Sequence, residues 1–449
     1  KTTKAGSLIP QKASKIDWYE FEEKIIPCQV AGVFLFIPYL IKIGFLELIE
    51  KSNLPETSHI SKLNYVLSLL TLKLIGQERL SQITNFSFDE GFGIFAGLNV
   101  LPKSTCITSY TYSVNKGMTM NLMKSFVKKL NKFSEDNYPS KTINLDFHTI
   151  PHFGEKEINA IQKHWAGARN KRMTGALTFL AQDSDSKMLN YCNADLRKEE
   201  ASEEIISFVD YWIDVKGIFN GTLVFDSKLT TYSHLNDLNK RDVKFITLRR
   251  RGKNLKDQMY NLPEDKWQII DLKIPKRKFN KFKVYESEIL LKDYDGPIRQ
   301  IIIKDHGRVE PTFVITNNRE VTIKEILITY AKRWRIENKI SELVKFFSLN
   351  ALNSPIMIRI FFDVLLTLIA DSLYRLFAQE LKGFEQMTPN KLFSKFIDTT
   401  GKIKITKKQI IVILRRKAHS PILKSLETFQ RVNEVQWLGN RELVFEWRN

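Results

Sequence analysis

Cysteine is scarce in this 449-residue chain: Cys28, Cys106 and Cys192 are far apart and odd in number. They form neither a disulfide framework nor a metal knuckle, and a reducing compartment is expected. Long apolar runs are also missing. The most apolar stretch, 30–41, is about half of what a bilayer requires and contains Pro38, so it reads as a core helix and no membrane partner is expected. Neither a P-loop nor a Gly-x-Ser-x-Gly elbow occurs. Acids are in deficit, with 50 Asp and Glu against 69 Lys and Arg, a net charge of +19. Such an excess implies a polyanionic partner, nucleic acid first and an anionic membrane surface second. A hydrophobic content of 43% excludes a disordered chain.

The length exceeds one ordinary core, and the texture changes along it. Residues 1–135 read as a helical N-terminal region that binds DNA. Within it, short helices at 88–96 and 104–112 flank a Gly-containing turn, as in a helix-turn-helix, with Lys103, Ser104 and Thr105 near the DNA. From 141 the period becomes two. Ile143, Leu145 and Phe147 alternate with Thr142, Asn144 and Asp146, a half-buried strand whose other face carries the acid. Further strands at 172–181, 187–193, 221–225 and 243–248, with helices at 198–215 and 231–239, predict an α/β mixed sheet over 136–248. Residues 249–321 read as a β-rich insertion bordered by basic runs, Arg249, Arg250, Arg251 and Lys253, then Lys276, Arg277 and Lys278. The sheet domain resumes over 322–382, and 383–449 reads as a basic, helical C-terminal region, including a helix over 406–417.

Residues 322–347 predict one helical rod of roughly 39 Å, opened by a Thr322/Glu325 capping box. Tyr330, Arg333 and Glu337 fall at i, i+3 and i+7 and share a face. Three carboxylates are therefore placed distinctively: Asp146 on a first strand, Asp226 at the end of a later one, and Glu337 on a helix beyond the insertion. Acids so placed can converge at one sheet edge and hold two Mg²⁺ or Mn²⁺ ions, which prefer oxygen ligands and leave room for water and phosphate. Zinc at Asp146, His148 and His152 is the weaker reading, since Pro151 interrupts the set and no fourth ligand is near.

Around these acids stand LDFHTIPHFG, LVFDSKLTTYSHLNDLNKRDVKFITLRRRG and YAKRWRIEN. In that order, with a β-rich segment before the glutamate, the chain resembles the DDE transposases of bacterial insertion sequences, in the branch with a Tyr-Arg-Glu-Lys signature. The resemblance spans about 144–354. It implies a ribonuclease-H-like domain in which Asp146, Asp226 and Glu337 bind the metals and Tyr330 and Arg333 hold DNA phosphates. It further implies a cytoplasmic, nucleoid-associated enzyme that cuts double-stranded transposon ends, joins them to target DNA and acts as a homodimer. The signature lysine is displaced: position 344 is Val and the lysine is Lys345, about 100° further round the helix. Trp267, in the insertion, reads as a buried sheet residue before it reads as a base-stacking platform. The alternative is a catalytically inactive or domesticated DNA-end-binding protein with the same fold.

Overall fold

The computed structural model describes residues 12–19, 23–134, 141–154, 161–166, 171–250, 252–272, 281–307, 310–352, 354–431 and 433–448. Their strands are β1 (Lys24–Cys28), β2 (Thr142–Pro151), β3 (Gln162–Ala166), β4 (Lys171–Asp183), β5 (Leu189–Leu196), β6 (Thr222–Val224), β7 (Lys244–Leu248), β8 (Gln268–Asp271), β9 (Lys281–Leu290), β10 (Pro297–Lys304), β11 (Thr312–Thr316), β12 (Gly401–Ile405), β13 (Gln409–Arg415), β14 (Asn433–Val435) and β15 (Arg441–Arg448).

The larger, mixed sheet runs β3-β4-β2-β6-β7-β11-β10-β9-β8, with β5 paired to β4. β2, β4 and β5 are antiparallel neighbours, whereas β6 and β7 run parallel to β2. Parallel pairing requires crossovers, and the Glu204–Lys216 and Tyr232–Lys240 helices supply them. The β-rich segment is no separate unit. Its strand β11 pairs with β7, Val314 opposite Leu248, so β8–β11 continue the same sheet. β7 would otherwise be an edge with unpaired amides and carbonyls.

The Met357–Glu380 helix is buried along most of its length, wedged between β5 and the Lys62–Leu74 and Lys116–Ser134 helices. Burial on all sides forces its acids to find partners. Asp363 meets Lys73 at 2.8 Å, and Asp371 meets Lys339 at 2.9 Å.

Three expectations need correcting. The C-terminal region is not helical: its helices there are short, and β12–β15 join β1 in a second sheet of order β1-β12-β13-β15-β14. The expected helix at 406–417 instead contains β13, whose run Ile410-Ile411-Val412-Ile413 is β-branched throughout and stiff in the strand conformation. The N-terminal region is not wholly helical either, since β1 pairs with β12, Ile26 opposite Ile403. The expected rod is two helices, Ile323–Ala331 and Trp334–Phe346. At the joint the bonds tighten to i→i+3, with the amides of Arg333, Arg335 and Ile336 donating to Tyr330, Lys332 and Arg333. The Thr322/Glu325 capping box is present, as is the Gly439-Asn440 turn between β14 and β15, both residues at positive φ. No helix among the described residues is long and apolar enough to cross a membrane.

Candidate active site

Register brings the two aspartates together. β2 and β6 are parallel and their last paired residues are Asn144 and Val224. Asp146 lies two positions further along β2, and Asp226 two positions beyond the end of β6, so continuing the register sets their backbones level on adjacent segments. Asp226 Oδ1 accepts bonds from the Ser227 amide at 2.6 Å and the Ser227 hydroxyl at 3.2 Å.

Glu337 stands in the first turn of the Trp334–Phe346 helix, and Arg333, at the joint before it, connects it to the strands. Arg333 Nη2 donates to Glu337 Oε1 at 2.6 Å, and Nη1 lies 3.8 Å from Asp146 Oδ2. The Arg333 side chain is only 17% exposed, and its buried Nε has no hydrogen-bond partner. Burial opposes its charge, but Tyr330, Glu337 and Asp146 outweigh that and hold the guanidinium charged. Tyr330 presents its ring 5.9 Å from the guanidinium. Asp146 is pushed up to about 7, chiefly by burial, with Glu337 and Asp226 adding to the rise and Arg333 opposing it.

A cavity of about 470 Å³ opens over this edge, lined by Asp226, Glu337, Arg333, Tyr330, Arg249 and Arg250 among others. Arg249 Nη1 donates to Gln300 Oε1 at 2.8 Å, and Arg250 Nε to the Ser227 carbonyl at 3.3 Å. The remaining expected contacts lie apart from it. Lys345 lines a separate cavity of about 740 Å³ with Lys187, Arg335 and Lys391. Lys253 is exposed at the start of the Lys253–Tyr260 helix. Lys103, Ser104 and Thr105 lie at the start of the Ser104–Ser113 helix, Lys103 and Thr105 exposed and Ser104 half-buried. The preceding Glu90–Phe95 helix is short and almost wholly buried. Arg251, Lys276, Arg277 and Lys278 lie outside the described residues. Trp267 is buried against Met259, Ile302 and Phe313, with Lys304 Nζ 4.0 Å from its ring centre. His148 is bonded to Asn350 at 2.7 Å. Ser227 and His306, also on the active-site cavity, were not anticipated; the Asp226-Ser227 step at the strand end was the available signal for the first.

The donor chemistry fits a hard divalent cation: three carboxylates, of which Asp146 is raised chiefly by burial and further by the other two. Among the described residues no three such side chains are grouped closely enough to hold one ion. Between Asp146 and Glu337 the positive charge is supplied by Arg333.

The mixed sheet thus borders a cavity that presents Asp226 and Glu337 together with Arg249, Arg250 and Arg333. Residues 145–371, just over half of the chain, match the transposase DDE domain, and the chain belongs to that family. Membership implies metal-dependent transposase chemistry. No curated protein matches the chain. Among solved structures it is similar to the piggyBac transposase, determined by cryo-EM as a synaptic complex with hairpin DNA, at 10% identity and a TM-score of 0.44, covering 83% of this chain and 82% of that one.

Proposed function

We propose that the protein is a DNA transposase that excises an insertion sequence and joins its ends to target DNA, with Asp146, Asp226 and Glu337 as metal ligands. The observation that carries this reading is the level placement of Asp146 and Asp226 on adjacent parallel segments, with Glu337 tied to the same edge through Arg333. The strand order β5-β4-β2-β6-β7, three antiparallel strands followed by two parallel ones reached through helices, supports a ribonuclease-H-like core. Two Mg²⁺ or Mn²⁺ ions bound there would activate water, and later a DNA 3′-hydroxyl, and stabilise the leaving oxygen.

The chain's own residues do the rest. Arg249 and Arg250 present cationic side chains to a phosphodiester entering the cavity, and the Ser227 bonds fix the orientation of the Asp226 carboxylate. Arg333 has two classes of anionic partner, the acids it now bridges and the phosphates of a bound strand. Engaging a phosphate would free Asp146 and Glu337 as oxygen donors. Lys345, on its separate cavity, would meet a phosphate outside the reaction centre, and Lys103, Ser104, Thr105 and Lys253 would grip DNA elsewhere. Two transposon ends require two active sites, hence a homodimer in the synapse.

The test is end cleavage with Mg²⁺ on a DNA carrying the element's termini. Asp146→Ala, Asp226→Ala and Glu337→Ala should each lower product by about 10³-fold or more while leaving DNA retention in a gel-shift assay intact. Product surviving any one of the three removes that residue from the site. A wild-type chain that binds ends without cutting them points to an end-binding protein with the same fold.

A further inference from the structure

Among the described residues, the second sheet has one covered face and one open face. Ile403, Ile405, Ile410, Val412 and Leu414 point inward and are buried, with the Ala31–Phe36 turn packed on β12 and β13 and the Glu427–Gln430 helix on β15. The opposite alternation should be polar if it faced only water. It is not: Ile411, Ile413 and Val444 are half-buried, and Ile25 is 59% exposed.

Register arranges the charges around this aliphatic centre in a definite order. One row across the face reads Pro27, Lys402, Ile413, Glu446, and the next reads Ile25, Lys404, Ile411, Val444. A third places Gln409 beside Glu442, with Glu434 beyond it. The β12 flank is therefore basic, the β15 and β14 flank carries three acids with Arg448 at its end, and β13 between them is aliphatic at Ile411 and Ile413, with Gln409 and Arg415 at its ends.

We propose that this open face is the interface between two copies of the chain, packed face to face about a twofold axis parallel to β13. Such an axis exchanges left and right but preserves level along the strands. Ile411 and Ile413 then meet their own counterparts. Lys402 faces the second copy's glutamate at position 446, and Lys404 lies between that copy's acids at 446 and 442. Sheets packed in this way lie about 10 Å apart, within reach of lysine and glutamate side chains from both sides. A twofold axis perpendicular to the strands would set Lys402 and Lys404 against themselves, whereas the parallel axis brings the exposed Arg415 at the end of β13 towards its counterpart, so the charge pattern favours the first and closes the assembly as a dimer. Glu446 is bonded to the exposed Arg448, and Glu442 accepts from Gln409. Each keeps oxygen lone pairs for a lysine from across the interface. A DNA backbone fits the face poorly, because Glu434, Glu442 and Glu446 would oppose its phosphates. The inference rests on the two-ended reading for its purpose, but its test requires neither DNA nor cleavage.

The experiment is a mass measurement by light scattering on the full chain at tens of micromolar, without DNA. Wild type should give twice the 52.4 kDa chain mass. Lys402→Glu with Lys404→Glu should be monomeric, because like charges then meet at both symmetry-related contacts. Glu442→Lys with Glu446→Lys should be monomeric for the same reason. Mixing the two variants restores every opposite-charge contact, so the dimer mass should return. As a second measurement, Ile413→Cys lies at the axis and should give a disulfide-linked dimer on oxidation, while Lys51→Cys, on the N-terminal helices, should not. A wild-type monomer, a charge-reversed variant that stays dimeric, or folded variants that fail to pair when mixed would each overturn the proposal. So would loss of DNA binding in the lysine variant with its mass unchanged, which would make the face a DNA contact.

Discussion

The Trp334–Phe346 helix and the joint before it carry two cation–carboxylate arrangements that differ in kind. Lys339 and Asp371 are closed off, the side chains 1% and 0% exposed, with both carboxylate oxygens within 3.0 Å of the ammonium. Six residues before Lys339, Arg333 holds one acid tightly and another loosely, at 2.6 and 3.8 Å, keeps an unsatisfied buried Nε, and leaves Glu337 55% exposed. A buried pair that is fully satisfied locks one arrangement, and removing either partner strands a charge. A pair left partly satisfied beside a cavity can exchange partners at lower cost. The first pair belongs to folding. On the proposed reading, the second serves function.

If that division holds, alanine at Asp146, Asp226 or Glu337 should remove cleavage, an effect of at least about 4 kcal/mol on the reaction barrier, while the melting temperature stays near that of wild type. Asp371→Ala should do the opposite. It leaves Lys339 with only Glu342, at 3.3 Å, and should cost about 3–5 kcal/mol of stability in urea unfolding. Replacing the pair by Lys339→Met with Asp371→Leu should recover most of that loss. Equal losses of stability from the two sets of substitutions would erase the distinction between the pairs.

The comparison also has a pH signature. Asp146 has its carboxyl raised to about 7, so the folded chain binds more protons than the unfolded one between its ordinary range near 4 and that value. Stability is then lost as pH rises through this window. Asp146→Asn cannot ionise, so without divalent cations it should melt a few degrees above wild type at pH 8, with the gap closing towards pH 5. A gap that does not change with pH would mean that Asp146 is not held against its charge.

Much of the site was legible in the sequence because strand period and strand-end acids are local signals. Alternation around Asp146, and a short apolar strand ending at Asp226, mark each as an acid carried by a strand; that they share one metal site was implied by the family resemblance. The β1–β12 pairing joins residues from opposite ends of the chain, which no local pattern reports. β13 misled because its outward positions are aliphatic as well, and that removes the alternation that marks a half-buried strand. The same feature, once in the fold, marks the open face proposed as a dimer contact. The break at Arg333 carries no proline or glycine. It coincides with a side chain drawn between Asp146 and Glu337, a tertiary arrangement that sequence spacing alone does not encode.

That break gives the smallest of the effects expected. Thr322 Oγ1 accepts from the Glu325 amide at 3.3 Å, and Glu325 Oε2 accepts from the Thr322 amide at 2.8 Å. Thr322→Ala should therefore cost about 1 kcal/mol. The cap belongs to the Ile323–Ala331 helix, whereas Glu337 belongs to the next, whose core contacts include Ile336, Leu343 and Phe346. If the tightened turn at Arg333 isolates the two, melting should shift slightly and the cleavage rate should stay unchanged. A rate that falls with the cap would mean that strain passes through Tyr330 and Arg333 to Glu337. The two helices would then act as the single rod their sequence suggests, and the poise of Arg333 would depend on the whole of it.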